Sequence, residues 1–280
     1  LRETVLPEVL NSLGLKSWPF SRAPRPEDLY RWPALEELLS RWRFVLETRG
    51  FALLTGEIGS GKSTALRAFT HDLDQSRHPS VYLVQRSLSP REFYARVLEN
   101  FGVAPAFNQG RVQQQFQALL DDLGTAQGKT PVLIIDEGQE ISAEMVQELR
   151  YIQNFHYDAG SPFALILAGQ PELRGLLRLK AFEAVAQRIT VRYHLAGLSL
   201  SEMTGYLNQS LTRAGLERPV FTEAALALLH SHSHGLMRRV SILATHALMD
   251  AAFSKTALVE ETSVRRAIAE VDDFTEGGRE

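Results

Sequence analysis

Four short runs, each apolar on consecutive residues, alternate with amphipathic stretches over the first two thirds of the chain: "FALLT" (51–55), "VYLV" (81–84), "VLII" (132–135) and "FALILA" (163–168). Such strands, separated by helices, predict a parallel sheet covered on both faces. "ITVRY" (189–193) reads as a fifth strand. Ahead of the first strand, Leu35, Leu38, Leu39, Trp42 and Leu46 recur at helical spacing, and Gly50 is expected to end that helix. The segment before it, to about Arg31, is rich in Pro and Arg and reads as an extended arm laid over the domain surface.

Several helix ends are legible. Ser89 is placed as an N-cap, with Pro90 at the first helical position, Glu92 completing a capping box, and Phe93, Val97 and Phe101 as the apolar stripe. From about Leu198 the pattern turns helical throughout. Ser199 and Glu202 form a second capping box flanked by Leu198 and Met203, Gly215 closes that helix, and Thr222, with Phe221 and Leu226 as a staple, opens the next. The expected organisation is an arm and helix over 1–49, an α/β core over 50–196 and a small helical domain over 197–280.

Composition narrows the chemistry. The 280 residues are 44% apolar, enough for a sizeable core, and the net charge of −3 argues against a protein that coats nucleic acid through bulk positive charge. The absence of cysteine removes disulfides, thiolate nucleophiles and Cys-ligated metals. No apolar run approaches the ~18 residues of a membrane span, and the N-terminus lacks a signal-peptide pattern, so the expectation is a soluble, cytoplasmic bacterial protein with no membrane partner.

Residues 56–63, "GEIGSGKS", match G-x-x-x-x-G-K-[ST]. They lie between the strand ending at Thr55 and an amphipathic helix carrying Leu66, Phe69 and Leu73. In such a loop Gly56, Gly59, Ser60 and Gly61 turn backbone N–H groups toward phosphate oxygens, and the helix N-terminus adds its positive end through Thr64. Lys62 reaches the β- and γ-phosphates and Ser63 ligates magnesium. At the end of the third run, "VLIIDEGQE" supplies Asp136, which would hold Mg²⁺ through water, and Glu137, which would act as general base. The alternative for the pair is helix capping, although two carboxylates after four buried apolar residues are expensive without a cation to face. No N-K-x-D guanine-reading sequence occurs, which favours ATP.

The P-loop, the Asp-Glu pair, "GQPEL" after the fourth strand, "QRITVRYHL" and the helical C-terminal region together resemble AAA+ ATPases. More narrowly, they resemble the group containing the general-secretion protein ExeA and the transposition regulators TniB, TnsC and IstB. The likeness runs from about Phe20 to Asp273. It implies a P-loop NTPase core of parallel sheet between helices with a small all-α lid, using ATP and Mg²⁺. It also implies that Gln170 is the sensor orienting water at the γ-phosphate, with a turn cap as its alternative. Arg188 becomes an arginine inserted into a neighbouring subunit's site, with a surface ion pair as its alternative. Arg238 becomes the lid arginine, with Arg239 left open because Met237 stands where the group more often has Pro. Phe20, Leu29 and Tyr30 would shelter the adenine or simply pack. The trio His230, His232 and His234 reads as exposed polar filler rather than a metal site, no carboxylate or cysteine being near in sequence.

Three functions are open at this point. The first is a transposition ATPase that assembles with copies of itself, as ring or filament, on duplex DNA when ATP is bound, presenting that DNA to a transposase. Arg86, Arg91 and Arg111 are then the candidate phosphate contacts, or else solvated surface arginines. The second is a secretion ATPase of the ExeA sort, and the third a nucleotide-dependent remodelling module with a protein client.

Overall fold

A computed structural model describes residues 5–21, 24–84, 86–152 and 161–276. Along the chain the main elements are α1 (Val5–Leu13), α2 (Pro33–Thr48), β1 (Phe51–Thr55), α3 (Lys62–Asp72), β2 (Ser80–Val84), α4 (Pro90–Asn100) and α5 (Gln109–Asp121). Then come β3 (Val132–Asp136), α6 (Ala143–Ile152), β4 (Ala164–Gly169), α7 (Glu172–Leu177), α8 (Glu183–Ala186), β5 (Val191–His194), α9 (Leu200–Arg213), α10 (Glu223–Ser233), α11 (Met237–Phe253) and α12 (Glu261–Glu276). They fall into two compact units. One comprises Pro33–Gly56 and Lys62–Leu195; the other comprises Leu1–Trp32, Glu57–Gly61 and Ala196–Glu280.

The first unit is a five-stranded, all-parallel sheet in the order β2-β3-β4-β1-β5. Every residue of β1, β3 and β4 is buried, as their unbroken apolar runs require of strands with helices on both faces. β2 and β5 lie at the edges and alternate between buried and accessible residues, leaving Tyr82 and Val84 exposed. The sheet face carrying Phe51, Leu53, Leu83, Leu133, Ile135, Leu165 and Leu167 packs on α4 to α7 through Phe93, Tyr94, Phe116 and Met145. Trp42 of α2 meets Phe69 of α3 edge-on, ring centroids 5.2 Å apart.

One expectation about α2 is corrected, and the helix ends just before Gly50 as expected. Its stripe continues to Val45, which is fully buried, and not to Leu46. Its left-handed terminal residue is Arg49, φ 49°, with Gly50 N–H reaching back to the Val45 carbonyl at 2.8 Å. Chain reversal by this 6→1 bond needs one left-handed residue, and the arginine accepts it. The box at Ser89 and Glu92 forms with both reciprocal bonds.

The second unit is helical. Ser199 and Glu202 again make both capping-box bonds, Thr222 caps α10 by accepting from Ala225 N–H, and Gly215, φ +97°, closes α9 while the Leu216 N–H bonds to the Leu211 carbonyl. The N-terminal segment is not simply an extended arm: residues 5–13 form α1 and bury Val9 and Leu13, and farther on Leu29 and Trp32 are buried too. The prolines that follow this short amphipathic helix dominate the reading of the segment. Arg22 and Ala23 of that segment lie outside the described residues.

Candidate nucleotide site

Strand order converges the chemistry. Parallel pairing sets Thr55 of β1 opposite Gly169 of β4, Ile135 of β3 opposite Leu167 of β4, and Val84 of β2 opposite Asp136. The carboxyl ends of β1, β4 and β3 therefore stand side by side, with P-loop and acidic pair separated by two strand spacings, ~10 Å. Gly56 N–H bonds to the Gly169 carbonyl at 3.3 Å, tying the loop's first residue to the end of β4.

Lys62 opens α3 and is 7% exposed, its Nζ donating to the Gly56 carbonyl at 2.7 Å. The ammonium thus lies folded back onto the residue that follows β1. Gly59 and Gly61 have φ of +84° and +104°, a conformation that turns successive N–H groups to one side and disfavours any side chain. Ser60 is 1% exposed and its hydroxyl is buried without a hydrogen-bond partner. Ser63 is exposed and Thr64 half-buried on the first turn of α3. A buried cation at a helix start suits an anionic, oxygen-rich group, as does the orphaned Ser60 hydroxyl in the preceding stretch of chain, so these residue types fit the phosphates of ATP.

Within the helical unit, the crown of that loop packs on the start of α11. Arg238 N–H donates to the Gly59 carbonyl at 3.3 Å, and a Cβ on Gly59 would lie 2.8 Å from the Cβ of Arg238. A Cβ on Gly61 would lie 3.1 Å from Met237 Sδ and 3.2 Å from the Trp32 ring. Arg238 keeps an exposed side chain beside the loop. Arg239 is instead committed to His232, 2.9 Å, and Asp272, 3.2 Å. Tyr30 stacks on Trp32 and tilts against Tyr206, which also meets Phe20, while Leu29 is buried.

On β3, Asp136 is 3% exposed. It accepts from its neighbour's backbone, Glu137 N–H, at 2.8 Å, and from the Tyr82 hydroxyl at 2.5 Å. Although much of the Tyr82 ring is exposed at the sheet edge, desolvation at its hydroxyl end, and then that bond to the carboxylate, hold the phenol well above its ordinary pKa, so it is a donor throughout the physiological range. Glu137 is left-handed, φ 52° and ψ 42°, a conformation costing a non-glycine residue ~1–2 kcal/mol. Its carboxylate accepts from Gln139 Nε2 at 2.7 Å, and Gln139 Oε1 accepts from Gln170 N–H at 2.9 Å. Glu137, Gln139 and Gln170, with Val84, Arg86 and Glu140, line a cleft of about 290 Å³. Asp136 and Ser63 are the residues suited to a hard, hydrated cation such as Mg²⁺.

Two participants were missed from sequence. Gln139 sits inside the acidic motif, but its reach to residue 170 depends on β3 and β4 being neighbours. Tyr82 depends likewise on β2 pairing with β3.

Other expected residues lie apart. Arg188 is in the turn between α8 and β5, where Thr190 N–H bonds to the Phe51 carbonyl at the amino end of β1. Four residues of strand, ~13 Å, separate that end from Thr55. Arg86 is exposed at the carboxylate cleft, 3.7 Å from Glu140. Arg91 folds onto the loop beyond α4, its Nε donating to the Phe107 carbonyl at 3.1 Å, and Arg111 is exposed in the first turn of α5. The reading of the histidines as polar filler is corrected. His232 lies 3.0 Å from Asp272, a carboxylate brought close by the packing of α12, His230 pairs with the Leu198 carbonyl at 2.9 Å, and only His234 is fully exposed.

Residues 45–177 match the model of a family described as "AAA domain". The chain is 34% identical over 245 residues to General secretion pathway protein A of Aeromonas hydrophila, a match covering 86% of this chain and 44% of that protein. It therefore spans less than half the length of that curated relative. Among solved structures it is similar to Cdc6p from Pyrobaculum aerophilum, with TM-score 0.68, 15% identity, and coverage of 90% of this chain and 70% of that one. It is also similar to the ORC1 protein of Aeropyrum pernix, solved in complex with DNA, with TM-score 0.63, 17% identity, and coverage of 87% and 67%.

Proposed function

We propose that this chain is an Mg²⁺-dependent ATPase whose site is completed by a second copy of itself, a reading supported by the match of residues 45–177 to the AAA domain family. Bound Mg-ATP supplies a polarised γ-phosphoryl group. Around it Lys62 leaves the Gly56 carbonyl for phosphate oxygens, Ser63 and Asp136 hold the cation, Glu137 takes a proton from the attacking water, and Gln170 orients that water. Arg238 covers the crown of the loop. The observation that carries the two-copy reading is the position of Arg188 at the amino end of the parallel strands, away from its own P-loop. Such an arginine serves a neighbour's phosphates, stabilising charge that spreads in the transition state. ATP then joins copies, and hydrolysis releases them.

For what the assembly acts on, sequence and fold support different partners. A secretion ATPase has the support of sequence: 34% identity to General secretion pathway protein A across most of this chain. No described helix is long and apolar enough to cross a membrane. A DNA-directed regulator of transposition, assembling on duplex DNA and recruiting a transposase, has the support of fold likeness to a protein solved with DNA, and of the exposed Arg86 and Arg111. The deciding measurement is light scattering of the purified protein with Mg²⁺ and a non-hydrolysable ATP analogue, with and without duplex DNA, over a salt series. Assembly strengthened by duplex, with affinity falling steeply as salt rises, selects the DNA reading. Nucleotide-driven assembly indifferent to duplex selects the secretion reading. A protein that stays a single copy under both conditions overturns the shared-site reading.

A further inference from the structure

Gln139 makes two bonds at once, one through each end of its amide. Its Nε2 donates to Glu137 Oε2 at 2.7 Å, and its Oε1 accepts from the backbone N–H of Gln170 at 2.9 Å. The first bond restrains one oxygen of the carboxylate and leaves the other for water. The second anchors the amide to the residue that follows β4. Space around it is cut to fit: a Cβ on Gly169 would stand 2.8 Å from Gln139 Oε1, and one on Gly138 2.7 Å from Leu167 Cδ1. The left-handed Glu137 is thus strained at its backbone while its carboxylate is held from outside.

We propose that Gln139 is a positioning residue that fixes the Glu137 carboxylate and ties it to the end of β4, so that movement of the Gln170 segment moves the base. The inference rests on the reading of Glu137 as general base. A glutamate at 139 keeps the acceptor for Gln170 N–H but sets a second carboxylate against Glu137. A leucine removes both bonds at similar volume. If residue 139 served only to pin the strand end, the glutamate variant would work; as a restraint on Glu137 it fails.

The test compares the parent with Gln139→Leu, Gln139→Glu, Gly169→Ala and Glu137→Gln, and with Gln139→Leu combined with Glu137→Gln. The readouts are kcat, KM for ATP, the Kd of a fluorescent non-hydrolysable ATP analogue, and Tm. Both Gln139 variants are expected to lose roughly ten- to hundred-fold in kcat, less than removal of a general base costs, with KM and Kd changed less than about two-fold. Gly169→Ala, which pushes the amide without changing its chemistry, lowers kcat in the same direction, and Gln139→Leu adds no further loss once Glu137 is Gln. Parental kcat in Gln139→Glu overturns the proposal, as does a tenfold loss of analogue binding in Gln139→Leu or full additivity in the double variant. Parental kcat in Glu137→Gln sinks the general-base reading instead, a separate outcome.

Discussion

Lys62→Met tests the phosphate site most directly, because the cost in the nucleotide-free protein and the cost in the bound one differ in size. In the free protein the ammonium is 7% exposed and bonded to the Gly56 carbonyl at 2.7 Å. Losing a charge-assisted bond costs ~1.5–3 kcal/mol, but methionine also removes a buried charge whose desolvation penalty is of the same order. The net change is expected within ~1 kcal/mol, or ~2 °C in Tm for a chain of this size. Ligand at a hundred times its Kd stabilises the parent by ~2.7 kcal/mol, a rise of ~5 °C. If the lysine–phosphate contact is worth ~2.7 kcal/mol, affinity falls ~100-fold, leaving ~0.4 kcal/mol and less than ~1 °C of that rise. Thermal melting with and without Mg²⁺ and a non-hydrolysable ATP analogue reads both quantities. A full ~5 °C rise in Lys62→Met refutes the phosphate assignment, and collapse of the free variant by more than ~10 °C refutes the argument that the two terms offset.

Arg188→Ala and Glu137→Gln are each expected to bind ATP and to hydrolyse it at least ~100-fold more slowly than the parent. Mixed in equal amounts they should recover activity in about a quarter of sites, those where an intact Glu137 meets an intact Arg188 from the next copy; a mixture no more active than its components removes the shared site. Ser89→Ala deletes the side-chain half of the box opening α4, and a loss of ~1 kcal/mol, or ~2 °C in a thermal melt, is expected. An unchanged melt would show that the cap adds nothing to the packing of Phe93 and Val97.

Where periodicity and turn chemistry act over a few residues, the sequence told the fold well. The buried strands, the two capping boxes and the P-loop are all local, and each lies within a residue or two of its expected place. The edge strands were less legible, because β2 and β5 bury one face only and their neighbours are set by topology. The helix α1 was hidden by the prolines that follow it, and Arg49 took a backbone conformation usually given to the glycine beside it. In the site, Lys62, Asp136 and Glu137 announce themselves by motif. Tyr82 and Gln139 do not, since each earns its role only through a strand adjacency that no window of sequence contains. Asp272, 40 residues after His232, shows the same limit for the helical unit.

The separation of Arg188 from Lys62 along one strand direction also constrains symmetry. A two-fold pair presents one self-complementary patch on both copies, so it would need guanidinium and phosphate loop within that single patch, each meeting the other's reciprocally, and groups at opposite strand ends do not share one. On the proposed shared site, a molecule polarised from strand start to strand finish would add heterologously, each copy offering its guanidinium forward and its phosphate loop behind. The rotation per step then decides whether the series closes on itself or grows without limit.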